Sequence, residues 1–141
     1  MRHGPHAAHD RPPLYTPNYI LAAVMHFTGG MSTAMFIPYP VFLTRLGADE
    51  MRIGQVMGLG AAAAVVTRPF AGHLLDLLGS RRTLIGAGVL NLASILALVP
   101  VVAIGAPLLV LTVLHAVAVG TLFASYFTYA THIVPAERRI E

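Results

Sequence analysis

The chain has 141 residues, of which 56% are hydrophobic and only 11% are charged, and it contains no cysteine and no tryptophan. Soluble globular domains carry about 25% charged residues, whereas this chain has a mean hydropathy of +0.71. Nine basic and six acidic residues give a formal charge of +3, but the basic residues occur singly or in pairs, without the clustered basic face of a nucleic-acid-binding domain. The composition excludes a soluble enzyme, a nucleic-acid binder and a disordered chain. It predicts a polytopic membrane protein surrounded by the lipid bilayer.

Charged residues are absent from two long stretches, 12–44 and 83–136. A membrane-spanning helix needs about 20 mostly apolar residues at a rise of 1.5 Å each, so the second stretch accommodates two helices and a turn. The sequence therefore predicts an all-α bundle of four transmembrane helices. The four predicted spans are 19–43, 53–75, 83–104 and 108–134.

The segments around these spans also carry local signals. Residues 1–18 contain four prolines and too little apolar content to fold alone, which predicts a disordered tail. Pro38 and Pro40 are expected to bend or fray the far end of the first span, because proline removes a helical hydrogen bond. Small residues recur at every fourth position of the second span, a spacing that favours tight helix packing or a dimer face. These residues are Gly54, Gly58 and Ala62.

The arginines predict an orientation, since loops on the cytoplasmic side carry an excess of basic residues. Six arginines fall on one side of the predicted bundle: Arg2, Arg11, Arg81, Arg82, Arg138 and Arg139. Arg45 and Arg52 fall on the other side, next to Asp49 and Glu50. The expected arrangement is a multi-pass protein of the cell's inner (plasma) membrane with both termini in the cytoplasm.

The link between the second and third predicted spans combines a glycine with charged residues in unusual places. Gly79 permits a sharp turn. Asp76 lies at the C-terminal end of its helix, while Arg81 and Arg82 lie at the N-terminal end of the next one. Both placements oppose the helix dipole. In one interpretation, the aspartate and the arginines offset one another across the turn and anchor the hairpin.

The same segment resembles the signature between the second and third helices of the major facilitator superfamily. The matching residues are Gly72, Leu74, Asp76, Gly79, Arg81 and Leu84. The segment departs from the signature at Leu75, where a small residue is usual, and at Leu77 and Ser80, where basic residues are usual. The resemblance covers about residues 14–139.

This resemblance implies a secondary transporter whose two six-helix halves rock about a central site. It implies a conformational gating motif composed of Gly72, Asp76, Gly79, Arg81 and Arg82. Within that motif, Asp76 would meet the N-terminus of a helix in the second half of the transporter. The substrate would be a small molecule of unknown identity, and the residues 68–72 are similar to those of bacterial efflux-type members.

The resemblance also places this chain within the longer fold of the family. Residues 111–120 are similar to the helix 4 signature, with Thr112 at the position of its arginine and Ala116 at the position of a glycine. Residues 135–141 resemble the stretch before helix 5. The chain therefore corresponds to the first four of about twelve helices. It is expected to be an N-terminal fragment that needs helices 5–12 and does not transport alone.

Several polar residues fall at membrane depth, where ionisable side chains are functional candidates. His26 lies in the first predicted span and His115 in the fourth, and these two spans correspond to helices that line the central cavity in the family. Thr121 and Ser125 share one face of the fourth span. These four residues are the candidates for a substrate or coupling site. Alternatively, the two histidines form hydrogen bonds to neighbouring helices, and the polar face that contains Thr121 and Ser125 lies against protein.

Two other classes of protein fit the sequence less well. One is a complete four-span protein, either a dimeric antiporter or a scaffold subunit, although no carboxylate lies in the core of any predicted span, where such an antiporter needs one. The other is a membrane enzyme, for which no nucleophile–base pair lies at matching depth. The sequence predicts neither an enzyme nor a bound cofactor or metal ion.

Overall fold

The computed structural model describes residues 16–34 and 36–133, and in these ranges every regular element is an α-helix. The helices are α1 (Pro17–Ala34), α2 (Tyr39–Arg45), α3 (Glu50–Leu78), α4 (Ser80–Leu98) and α5 (Ala106–Ile133). The predicted all-α class is confirmed. The predicted tail as far as residue 15, and the predicted cytoplasmic end at 135–141, lie outside the described residues.

The first predicted span, 19–43, consists of two helices joined by a short turn. The backbone N–H groups of Phe36 and Ile37 donate to carbonyls three residues earlier, over 2.9 and 3.0 Å. Pro38 then precedes α2, and Pro40 stands in the first turn of α2, where its missing N–H is not needed. The two prolines thus separate two helices where a bend or a frayed end was expected.

The long helix α3 includes the whole second predicted span, 53–75. Asp49 caps the N-terminus of this helix, and its side chain accepts a hydrogen bond of 2.8 Å from the backbone N–H of Arg52. Such a cap satisfies one of the free N–H groups of the first turn. The helix continues through Pro69 and ends at Gly79.

Two helices are long and apolar enough to cross a membrane: α4 and residues 106–132 of α5. Only 33% of the apolar window of each is buried inside the bundle, so most of their apolar surface faces outward, as lipid contact requires. The outward residues of α4 include an apolar stripe at helical spacing: Ile85, Val89, Leu92 and Leu96. Within the described ranges, α1 and α3 do not meet the same criterion.

Helix α5 is the centre of the bundle, with α4 and α3 packed along it and α1 in lighter contact. Helix α3 approaches α5 closely at Gly60, where an added Cβ would lie 3.3 Å from the Thr112 side chain. The small-residue spacing predicted tight packing at Gly54, Gly58 and Ala62 instead, but all three are exposed. At Gly54 and Gly58, an added Cβ would meet nothing within 4 Å. The rotation of α3 about its own axis places Gly60, two residues further along, against α5.

The best-buried apolar cluster lies at the end of the bundle that carries the α2–α3 loop. It consists of Tyr39, Leu43, Ala48, Val56, Leu98 and Leu108. Residues from α2, α3, α4 and α5 therefore meet there. This cluster fixes the α2 segment against the start of α5, next to one of the clefts described below.

Candidate functional site

The turn between α3 and α4 consists of Gly79 alone. Its φ of +80° lies in the region that favours glycine, and its N–H donates to the carbonyl of Leu75 over 2.9 Å. Thr83, which is buried, donates its hydroxyl to the carbonyl of Gly79 over 2.9 Å and lies 3.4 Å from the carbonyl of Leu74 in α3. These contacts fix the angle between the two helices.

The charged residues of the predicted gating motif lie on the surface around this turn. Asp76 in the last turn of α3, and Arg81 and Arg82 in the first turn of α4, are all exposed. In the described part of the chain, no ion pair within 4.0 Å joins Asp76 to either arginine. The interpretation in which these charges anchor the hairpin locally therefore gains no support from the geometry, and Asp76 stands unpartnered at the unfavourable end of its helix dipole.

Gly72 lies one helical turn before Asp76, on the same side of α3. It is exposed, and an added Cβ would meet nothing within 4 Å. Gly72 and Asp76 thus form an open surface on α3, which we call the Gly72–Asp76 face. Because Gly72 has no side chain, this face leaves room for another helix to approach, and the Asp76 carboxylate lies beside that space.

A cleft of about 680 Å³ lies between α3 and α5, and we call it the α3–α5 cleft. Its floor is made of small residues from both helices, among them Ala61, Ala64, Ala116 and Gly120. Its volume is within the usual range for small-molecule sites, about 300–1,000 Å³. The cleft therefore has the size and the apolar lining of a ligand pocket.

His115 lines this cleft and is only 5% exposed. Its ring stacks on Phe36, with centroids 3.8 Å apart and an angle of 16° between the planes. The Nδ1 atom of His115 is buried and has no hydrogen-bond partner among the described residues. A buried polar atom of this kind is costly unless something bonds to it.

Tyr39 and Thr112 form a buried hydrogen bond at the same end of the cleft. Their hydroxyl oxygens lie 2.6 Å apart, and the Thr112 hydroxyl donates to the carbonyl of Leu108 over 2.8 Å. Because the threonine hydroxyl has one proton, Tyr39 is the donor in this pair. Thr112 therefore links α5 to α2.

His26 lines a second cleft, of about 570 Å³, between α1, α4 and α5. Its ring stacks on Tyr126 at 4.2 Å and meets Phe123 edge-on at 5.9 Å. Phe123 lines both clefts. His26 and His115 are therefore not brought into one site, but lie in two clefts that share an aromatic wall.

Thr121 and Ser125 line neither cleft. Both are buried, and the Ser125 hydroxyl donates to the carbonyl of Thr121 over 2.7 Å within the same helix. The Ser125 hydroxyl is therefore satisfied within α5 itself, and both side chains lie in the interior of the bundle. Between residues 16 and 133, Met35 excepted, no three His, Cys, Asp or Glu side chains come together as a metal site would require.

Sequence reasoning did not single out Phe36 and Tyr39 as lining residues. Their signal is weak, because aromatic residues in an apolar segment normally indicate packing. Only the turn at Pro38 brings both rings against α5. The pair of prolines was noted, but its consequence for these two side chains depends on tertiary structure.

The comparisons with known proteins were made on the whole chain. The family model described as the Major Facilitator Superfamily matches residues 8–141, which include both clefts and the α3–α4 turn. The comparisons with curated proteins and with solved structures gave no significant match.

Proposed function

The chain belongs to the Major Facilitator Superfamily, and on that premise we propose that it forms the first part of a secondary active transporter for small molecules. The transporter works by alternating access, in which two halves rock about a central site. The similarity of residues 68–72 to efflux-type members favours export from the cell. The described helices act together with further helices of the same fold, numbered 5–12 in the family.

The observation that carries this proposal is the unpartnered carboxylate of Asp76. A negative charge at the C-terminal end of its own helix is unfavourable, whereas the N-terminus of another helix stabilises it by about 0.3–1 kcal/mol or more. The open Gly72–Asp76 face offers room for such a helix end. We infer that Asp76 receives a helix N-terminus of the second half in one of the two conformations.

The clefts support the same proposal. The α3–α5 cleft is open on one side and contains a buried, unsatisfied nitrogen of His115. A second helical half that covers the cleft would convert it into an enclosed site. The described acidic residues Asp49, Glu50 and Asp76 all lie at helix ends, which gives a dimeric antiporter with a deep carboxylate no support.

The proposal predicts that Asp76→Asn has little effect on the isolated chain and a large effect on a complete transporter. In the isolated chain the substitution should change stability by no more than about 0.5 kcal/mol, because the side chain is exposed. In a chimera of residues 1–139 with helices 5–12 of another family member, the same substitution should abolish most gradient-driven efflux. The measurements are unfolding of the isolated chain in detergent and efflux of a fluorescent substrate of the donor transporter from cells.

Asp76→Glu is the matched control, because it retains the charge and should retain part of the flux. Arg52→Gln, at the other end of α3, controls for a general effect of surface charge. A chimera that exports its substrate equally well with Asp76→Asn would remove the gating role. Clear destabilisation of the isolated chain by Asp76→Asn would restore the interpretation of Asp76 as a local anchor.

A further inference from the structure

We propose that the α3–α5 cleft binds a planar organic anion, with Arg68 contacting its anionic group and His115 hydrogen-bonding a second polar group at the opposite end. This inference rests on the proposed function, because it names the class of molecule that the transporter would carry.

The shape of the α3–α5 cleft favours a flat, apolar body. Its floor of alanine and glycine residues presents no large side chain, and its sides include the rings of Phe36, Phe123 and Phe127. Aromatic rings pack well in offset or edge-to-face contact with such side chains. A planar ring system fills this space better than a bulky or branched molecule.

The charge of the cleft favours an anion. Among the described residues that line the α3–α5 cleft, Arg68 is the one permanently charged side chain, and none is an aspartate or a glutamate. The guanidinium group is permanently charged and binds carboxylate, sulfonate or phosphate groups through two parallel hydrogen bonds. A cationic ligand would be repelled by Arg68 and would find no carboxylate in the described lining, so only the aromatic rings would attract it.

His115 supplies the second point of recognition. The side chain is only 5% exposed, and its Nδ1 has no hydrogen-bond partner among the described residues. The stack on Phe36 holds the ring in place. Because Nδ1 is fully buried, a hydroxyl group of the ligand would satisfy it after a small shift of the His115 ring, whereas the nearby Tyr39 and Thr112 hydroxyls already bond to one another.

The register of the two helices sets the length of the ligand. Gly60 lies against Thr112 and Ala116, and Gly120 lies against Ala64, so α3 and α5 run in the same direction. Arg68 is therefore two helical turns beyond the level of His115, roughly 12 Å at 1.5 Å per residue. A two-ring molecule with polar groups at both ends matches this separation.

The test uses the full chain in nanodiscs of zwitterionic lipid, with equilibrium dialysis against three ligands of one shape: 2-naphthoate, 2-naphthamide and 2-naphthamidine. Because the chain contains no tryptophan, naphthalene fluorescence reports the bound fraction against a low background. We expect the anion to bind about tenfold more tightly than the neutral amide, as a hydrogen bond to a charged group allows. The cationic amidine should bind most weakly.

Variants locate the binding in the cleft. Arg68→Gln should reduce the affinity for 2-naphthoate about tenfold and leave the amide almost unchanged, while Arg52→Gln, outside the cleft, should change neither. His115→Phe keeps the ring stack on Phe36. It should abolish the advantage of 6-hydroxy-2-naphthoate over 2-naphthoate, and leave 2-naphthoate itself unaffected.

Equal affinity for the three ligands, no binding above that of empty nanodiscs, or the same loss with Arg52→Gln as with Arg68→Gln would each overturn the proposal. The outcome is independent of the gating test. If the cleft shows no preference for anions but the chimera exports its substrate, the proposed substrate class is wrong and the proposed transport function stands. If the cleft binds anions but the chimera exports nothing, the ligand class stands and the transport function is wrong.

Discussion

The side chains at the Tyr39 end of the α3–α5 cleft form a small network of a hydrogen bond, a ring stack and the contact between the rings of Phe36 and Tyr39, whose centroids lie 4.2 Å apart. The hydroxyls of Tyr39 and Thr112 lie 2.6 Å apart, and the ring of His115 lies on Phe36. Hydrogen bonds between transmembrane helices contribute about 0.6 kcal/mol on average. The network therefore fixes the position of α2 against α5 more than it adds to stability.

No local pattern of the sequence predicts this network. Tyr39 and Thr112 are separated by 73 positions, and helical periodicity relates only residues a few positions apart. His115 was predicted as a candidate because it is ionisable and lies at membrane depth. Its partner Phe36 depends on the path of the chain at Pro38, which the sequence marked only as a bend.

At this scale we predict measurable coupling between Tyr39 and Thr112. Tyr39→Phe and Thr112→Val should each destabilise the chain, and the double variant should cost less than the sum of the two. The expected coupling is about 0.6 kcal/mol, with about 1.7 kcal/mol as the upper end for such bonds. Unfolding of the four proteins in mixed micelles measures it. Strictly additive effects would show that the hydroxyls do not interact.

At the scale of elements, helix positions followed from the sequence more closely than helix orientations. Long apolar stretches bounded by charges and by Gly79 predicted where α3, α4 and α5 lie. The rotation of α3 was not predictable from small-residue spacing, because Gly54 and Gly60 are equally compatible with a close approach. Only the contact with Thr112 on α5 distinguishes them.

We predict that valine at Gly60 separates α3 from α5, whereas valine at Gly58 is tolerated in this chain. A Cβ at Gly60 would lie 3.3 Å from Thr112, and the two further methyl groups of valine add overlap. Overpacking of this kind costs about 1–3 kcal/mol. At Gly58 nothing lies within 4 Å of an added Cβ, so the change should stay within about 0.5 kcal/mol. Comparative thermal unfolding in detergent measures both, and equal losses would contradict the helix orientation.

At the scale of the whole molecule, charge distribution predicts orientation in the membrane. Arg81 and Arg82 lie at the α3–α4 turn, while Arg45 and Arg52 flank the α2–α3 loop at the other end of α3. These two pairs of arginines alone give the two ends of α3 the same number of basic residues. The predicted excess on one side depends on arginines near both termini, outside the described residues, so this expectation comes from the sequence and not from the fold.

Single cysteines test the orientation directly, because the chain has no cysteine of its own. Met51 is 74% exposed beside the α2–α3 loop, and Ser80 follows the α3–α4 turn. In intact cells, a membrane-impermeant maleimide should label Met51→Cys, and Ser80→Cys should react only after the membrane is opened. The reverse pattern would invert the assignment, and labelling of both in intact cells would show that α3 does not cross the bilayer.

The one-residue turn at Gly79 has a consequence for the biogenesis of the protein. A single residue cannot bridge the roughly 30 Å of a bilayer core, so the end of α3 and the start of α4 must stay at one surface. Helix α3 contains Gln55, Arg68 and His73 and does not meet the span criterion that α4 meets. We therefore expect the pair to enter the bilayer as a helical hairpin, with the transfer free energy of α4 offsetting the polar groups of α3. On this view, α3 becomes a stable transmembrane segment only after the ribosome has completed α4.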